Sequence, residues 1–150
     1  MAEINGRGAA ELAAGRKILF DSQGKSFVAV CEMPTTYTAA SGDTVGSGLV
    51  IKKGARLLSG VTISNAANTA SLTLAVGIRN ALTKVAVDAT ALAAATAITT
   101  AATAQVNTGT KITAGQRYVL DQDCEIYFTF AGATPTANAA IRVEVPYLPA

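Results

Sequence analysis

The sequence lacks histidine and tryptophan, and it has only two cysteines among its 150 residues. Histidine is the side chain best suited to proton transfer near neutral pH, and it is also the commonest metal ligand. A nucleophilic serine or cysteine needs a neighbouring base of this kind. The sequence therefore predicts a protein that is not an enzyme, has no catalytic or metal-binding residues and uses no cofactor.

Charge is also scarce, because only 15% of the residues are charged and the net charge is +2. The densest basic group, Lys52, Lys53 and Arg56, is interpreted as a solvated loop edge, so we expect no nucleic-acid partner. No stretch approaches the roughly 20 apolar residues of a membrane span, and the first residues lack the apolar segment of a secretory signal. A soluble protein made in a reducing cytoplasm is expected.

The two cysteines, Cys31 and Cys124, form no C-x-x-C motif. They are interpreted as two small buried hydrophobes, with a disulfide as the alternative. A second candidate site is the run Asp121-x-Asp123-x-Glu125, whose alternation places three carboxylates on one face of an extended segment. They either gather a hard cation such as Ca²⁺ or, as we favour, form a solvent-facing acidic edge that discourages strand pairing.

Aromatic residues make up only 5% of the chain, although the hydrophobic fraction is 50%. Much of that fraction is alanine, which buries little area per residue. The composition thus predicts a thin core, which neighbouring subunits would have to support.

Residues 1–25 differ from the rest of the chain. Asn5-Gly6-Arg7-Gly8 is prone to turns, 9–14 favours a helix of under two turns, and the apolar patch Ile18-Leu19-Phe20 follows. Two interpretations remain open: a frayed terminus, or an extended N-terminal arm that becomes ordered when it docks on a partner.

From Ser26 onward, alternating apolar residues predict β-strands. Three faces are clear: Phe27, Ala29, Cys31 and Met33; Cys124, Ile126, Phe128 and Phe130; and Ala139, Ile141, Val143 and Val145. Shorter strands are predicted at 49–51 and 118–120, and Pro146 is expected to end the last strand. Seven or eight short strands indicate an all-β domain over residues 26–150, either an antiparallel β-sandwich or a barrel.

The middle of the chain predicts a β-hairpin, in which 57–63 and 71–78 flank the polar loop 65–68. In its second strand Leu72, Leu74, Val76 and Ile78 share a face. The alanine-rich segment 89–95 favours a short helix or a loop, whereas the threonine-rich continuation predicts a strand around 96–106.

Several segments together resemble a known family. They are Ile4-Asn5-Gly6-Arg7-Gly8, Ala14-Gly15-Arg16-Lys17-Ile18, Gly54-Ala55-Arg56-Leu57-Leu58-Ser59-Gly60, Leu72-Thr73-Leu74-Ala75-Val76-Gly77, Glu125-Ile126-Tyr127-Phe128-Thr129, Gly132-Ala133 and Ile141-Arg142-Val143-Glu144-Val145. With these segments the chain resembles the cement or decoration proteins of tailed bacteriophages, which coat the major capsid protein. The resemblance covers roughly residues 1–20 and 49–148 and does not extend to 34–48 or 89–107.

This resemblance implies a jelly-roll β-sandwich that binds the outside of the phage capsid and staples neighbouring major capsid subunits. It implies further copies of the chain as partners, in a dimer or trimer, and a place on the virion exterior after assembly in the host cytoplasm. An arm along a neighbouring subunit would use Asn5, Arg7, Glu11, Arg16, Lys17, Ile18 and Phe20.

The alternative is a receptor- or carbohydrate-binding β-sandwich module, or another structural component of a phage tail. A carbohydrate-binding module would present exposed aromatics for stacking on sugars. The tyrosines Tyr37, Tyr118, Tyr127 and Tyr147 instead belong to different predicted elements.

Overall fold

The computed structural model describes residues 26–113 and 118–150. This part of the chain contains β-strands and no helix, and hence no helical membrane span. The strands are β1 (Phe27–Glu32), β2 (Thr44–Gly46), β3 (Arg56–Leu57), β4 (Thr62–Asn65), β5 (Thr73–Asn80), β6 (Ala86–Ala97), β7 (Ala102–Gln105), β8 (Cys124–Ala131) and β9 (Ile141–Leu148). The prediction of an all-β domain is confirmed, whereas the proposed arm, 1–25, lies outside the described residues.

The strands form two antiparallel sheets that pack face to face. One sheet has the order β1-β9-β4-β7, with β3 also paired to β9, and the other has the order β2-β8-β5-β6. If the two-residue β3 is left out, eight strands remain and can be counted in chain order. The first sheet then contains the first, eighth, third and sixth of these strands, in that order, and the second sheet contains the second, seventh, fourth and fifth. This is the strand order of a jelly roll, so the predicted fold class is confirmed.

Large side chains fill the space between the sheets. Phe128 and Phe130 are fully buried and meet edge to face, with ring centroids 5.5 Å apart. Leu74 and Val76 of the neighbouring strand β5 lie opposite Phe130 and Phe128 in the same sheet and belong to the same core. Within residues 26–113 and 118–150, the buried alanines are few: Ala29, Ala55, Ala91, Ala93 and Ala139. The expectation of a thin alanine core is therefore wrong, since most alanines lie elsewhere, and the core gives no reason to require neighbouring subunits.

The predicted hairpin is also wrong. Its first part becomes β3 and β4 and its second part becomes β5, and these strands lie in different sheets. Strand β4 pairs with β7 and β9, while β5 pairs with β6 and β8. The predicted face of Leu72, Leu74, Val76 and Ile78 is nevertheless buried, because alternation determines which face points inward but not which strand lies alongside.

The alanine-rich segment 89–95 is part of the long strand β6 instead of a helix. Register shifts interrupt its pairing with β5 at several points, so the strand bends along the sheet. Burial of Ala91, Leu92 and Ala93 outweighs the helix propensity of alanine here. The predicted strand around 96–106 is split, because β6 ends at Ala97 and β7 begins at Ala102.

Three smaller expectations from the sequence also differ from the structure. In the predicted strands 49–51 and 118–120, only Ile51 and Val119 pair, each in an isolated bridge. Pro146 does not end the last strand, because β9 continues to Leu148, with Pro146 opposite Val28 of the edge strand β1. Phe27 is half exposed, since it lies at the end of β1, where its ring meets that of Tyr147.

Candidate interaction surfaces

A buried ion cluster lies on the outer face of the second sheet. Glu125 of β8 points away from the core, yet its side chain is only 3% exposed. Its Oε2 accepts hydrogen bonds from Nε of Arg79 at 3.0 Å and from Nζ of Lys84 at 2.6 Å. Its Oε1 accepts a hydrogen bond from the backbone N–H of Gly48 at 2.7 Å. We call Glu125, Arg79, Lys84 and the Gly48 amide the Glu125 cluster.

The electrostatics of the Glu125 cluster favour the ionised carboxylate. Burial alone would raise the pKa of Glu125, but the hydrogen bonds from Lys84, Arg79 and the Gly48 amide outweigh burial and lower it from 4.5 to about 2. The Arg79 guanidinium also lies over the ring of Tyr127, 5.2 Å from its centroid. The cluster thus joins β5, β8, the β5–β6 connection and the chain after β2.

Asp123 makes a second connection at the same end of the sandwich. Its carboxylate accepts hydrogen bonds from Nζ of Lys52 and from the backbone N–H of Lys53, both at 2.9 Å. Its carbonyl oxygen accepts a third from the backbone N–H of Ala81 at 3.1 Å. These bonds hold together three loops, 47–53, 81–85 and 121–123, which we call the tip loops.

The tip loops carry exposed apolar side chains. Leu82 is 89% exposed and Val85 66%, and on the facing loop Leu49 is 40% and Val50 46% exposed. A cleft of about 450 Å³ separates the loops and is lined by the apolar residues Val50, Ala81 and Leu82 and by the polar residues Lys52, Asn80, Thr83 and Asp123. We call Leu49, Val50, Leu82 and Val85 the tip patch. Of these four residues, Val50 and Leu82 meet in the cleft. Exposed apolar residues with a polar rim are typical of protein contact sites.

A second cleft of about 450 Å³ lies at the opposite end of the sandwich. Its floor contains Met33 and Ile141, and Arg142 lies on its wall. The Arg142 guanidinium donates from Nε to Glu144 at 2.7 Å and from Nη1 to Glu32 at 3.1 Å. Both carboxylates are thus already engaged with this arginine, and no large apolar side chain in the cleft wall is exposed. The tip therefore offers the stronger apolar contact surface.

The acidic run predicted from the sequence is not gathered into one site. Glu125 is buried against Arg79, Asp123 bonds Lys52 and Lys53, and Asp121 is exposed. No group of three or more possible metal ligands occurs in residues 26–113 and 118–150. The favoured interpretation, a solvent-facing acidic edge, is wrong for Glu125, because a solvent-facing carboxylate would not be buried among cations.

The two cysteines are free thiols and both are buried, which confirms the interpretation as small hydrophobes. The predicted arm residues Asn5, Arg7, Glu11, Arg16, Lys17, Ile18 and Phe20 lie outside the described part of the chain. The tip patch was not predicted from the sequence. Leu82 is the one large apolar residue in the run Asn80-Ala81-Leu82-Thr83-Lys84, and an isolated leucine in a turn was the available signal.

No protein-family model matches the chain, and no curated protein matches it. Among solved structures, the chain is similar to a chain described as "Cyanophage Pam1 capsid asymmetric unit". The identity is 18% and the TM-score 0.48, over 100% of this chain and 92% of that chain. A likeness at this identity and score supports no conclusion about function.

Proposed function

We propose that this chain is a non-enzymatic structural protein of a phage virion. It binds the outside of the capsid, contacts neighbouring major capsid subunits and thereby stabilises the head. The observation that carries the proposal is the tip patch, because four exposed apolar side chains lie on loops joined by ionic and hydrogen bonds. The jelly-roll sandwich and the resemblance of its segments to phage cement proteins support the same role.

The tip patch suits a partner surface that is apolar and carries acidic groups. Lys52 and Lys53 lie beside it, and Lys52 is largely exposed although it bonds Asp123. Because the tip loops are already joined to one another, docking costs little ordering entropy. A capsid presents many equivalent sites, so the modest contacts of many copies together stabilise the shell.

The test is co-sedimentation of the purified chain with mature heads of the phage that encodes it. The variant Leu82→Asp/Val85→Asp places two charges on the tip patch, and the bound fraction should fall about tenfold or more, because each buried apolar anchor contributes on the order of 1–2 kcal/mol. The matched control, Thr36→Asp/Ala137→Asp, adds the same charge to exposed positions at the opposite end and should bind normally.

Two outcomes contradict this proposal. If the control loses binding and the tip variant keeps it, the contact lies at the opposite end. If the wild-type chain ignores heads and instead binds defined sugars on a glycan array, the receptor-binding alternative is correct.

Residues 1–25 contribute, in our proposal, an arm that lies along a neighbouring subunit through Asn5, Arg7, Glu11, Arg16, Lys17, Ile18 and Phe20. The partners are the major capsid protein and further copies of this chain, on the virion exterior after assembly in the host cytoplasm. Deletion of residues 1–20 should weaken head binding while the sandwich stays folded. Unchanged binding would show that the arm has no such role.

A further inference from the structure

Strand β7 is an edge strand, and no strand within residues 26–113 and 118–150 pairs with its free side. It pairs with β4 on one side, and all four of its residues are exposed. Its sequence, Ala-Thr-Ala-Gln, has neither charge nor proline. Edge strands of soluble proteins usually carry a charged residue or a proline, because an open edge otherwise pairs readily with another chain.

The hydrogen-bond pattern shows which backbone groups face the open side. The N–H of Val106 bonds the carbonyl of Val61 opposite it, and alternate residues of an antiparallel pair share this role. Ala104 and Ala102 therefore bond β4, and Thr103 and Gln105 direct their N–H and C=O groups outward. Within residues 26–113 and 118–150, these outward groups accept and donate no backbone hydrogen bond.

The free side of β7 also has room for another strand. Ala102 and Ala104 lie opposite Asn65 and Ile63, so they share the inward face of the first sheet. Ile63 is buried, yet both alanines are exposed. The first sheet thus extends past the second sheet at this edge. By contrast, the free side of β6 is covered, because the N–H groups of Thr110 and Lys111 bond its carbonyls.

We propose that β7 pairs antiparallel with β7 of a second copy about a two-fold axis at Ala104. Thr103 of each copy then exchanges two backbone hydrogen bonds with Gln105 of the other, so all four outward groups of each strand are satisfied. A two-fold axis at Thr103 would instead require Ala101, which is outside the strand. We infer that the strand which pairs with the free side of β7 comes from a second copy of this chain, because an uncharged strand can pair with itself without like-charge repulsion.

This inference deepens the self-association part of the proposed function and rests on it, but it does not depend on head binding. Four residues from each copy bury far less than the roughly 1,200 Å² of a stable interface. The contact is therefore weak in solution and becomes populated where copies are held close together.

A disulfide that forms only at the axis tests the geometry. In a pair centred on Ala104, the two Ala104 residues form a non-hydrogen-bonded pair with Cα atoms about 4.5 Å apart, within disulfide range. Under mild oxidation, Ala104→Cys should yield a covalent dimer. Ala102→Cys is the matched control on the same strand and face, and it should stay monomeric because its two copies would lie about 14 Å apart. The native Cys31 and Cys124 are buried in both variants.

A second variant removes the contact without the cysteine. Thr103→Pro deletes an N–H that faces the open edge, where proline is tolerated, so the variant should keep its thermal midpoint within a few degrees. It should abolish the cross-link when added to Ala104→Cys.

The inference is wrong if Ala102→Cys cross-links as fast as Ala104→Cys, or if Val30→Cys on the other open edge, β1, cross-links in its place. It is also wrong if light scattering shows an oligomer and Ala104→Cys forms no dimer. Head binding by a chain that never cross-links would leave the proposed function intact and refute only this contact.

Discussion

The Glu125 cluster should stabilise the folded protein by an amount that follows from the pKa of Glu125. Replacing Glu125 by Gln keeps the size of the side chain but removes the charge that faces Arg79 and Lys84. The folded-state pKa of Glu125 is about 2, and its ordinary value is 4.5. The difference corresponds to about 3 kcal/mol of folding stability at pH 7. Loss of one partner of a buried ion pair has a similar typical cost, about 3–5 kcal/mol.

The pH dependence follows from the direction of the shift. Because the folded-state pKa is lowered, the stabilisation is fully present above pH 4.5 and is lost as the pH falls through 2. Urea unfolding should show Glu125→Gln less stable than the wild type by about 3 kcal/mol at pH 7, and by only about 1 kcal/mol at pH 3. The comparison between variant and wild type cancels the titration of the other carboxylates.

The control for this experiment is Glu144→Gln. Glu144 also accepts a hydrogen bond from an arginine, Arg142, but both side chains are about two-fifths exposed. An exposed ion pair contributes at most about 1 kcal/mol, so this variant should be nearly as stable as the wild type. If the two variants lose equal stability, or if the Glu125→Gln deficit is the same at pH 7 and pH 3, the cluster does not act as described.

Two further predictions concern the core and the cysteines. A methyl group added at Gly77 would overlap the backbone of Asp88 and Ala89 in β6. Gly77→Ala should therefore lower the free energy of unfolding by about 1–3 kcal/mol. Unchanged stability in urea would show that β6 does not approach Gly77 this closely. Burial raises the pKa of Cys31 to about 12 and that of Cys124 to about 11. Both thiols should therefore react with a thiol reagent at pH 8 far more slowly in the folded protein than in urea. Equal rates in the two conditions would contradict their burial.

Sequence patterns predicted the inward faces of the strands but not their partners. Alternation placed Ile126, Phe128 and Phe130 correctly on one face of β8, because the period of a strand is a local property. In this jelly roll most consecutive strands lie in opposite sheets, so strands that follow each other in sequence, such as β4 and β5, are not paired. Strand β6 was missed for a related reason, since tertiary burial determined the structure of an alanine-rich segment.

The same limit applies to the interaction surfaces. Alternation correctly places Glu125 on the outward side of β8, but alternation does not show whether an outward side chain is exposed or covered by other residues. The burial depends on Arg79 and Lys84, which lie more than 40 residues earlier in the chain. The tip patch likewise arises only when Val50 and Leu82 are brought to one cleft by loops far apart in sequence. No local pattern contains that information.

The most direct test of the proposed role is electron cryo-microscopy of the virion that carries this chain. Our account predicts β-sandwich density on the outer surface of the head, over the joints between major capsid subunits, with the tip loops 47–53, 81–85 and 121–123 against the shell. Density for this chain at the tail, or inside the head, or a head without it, would contradict the account.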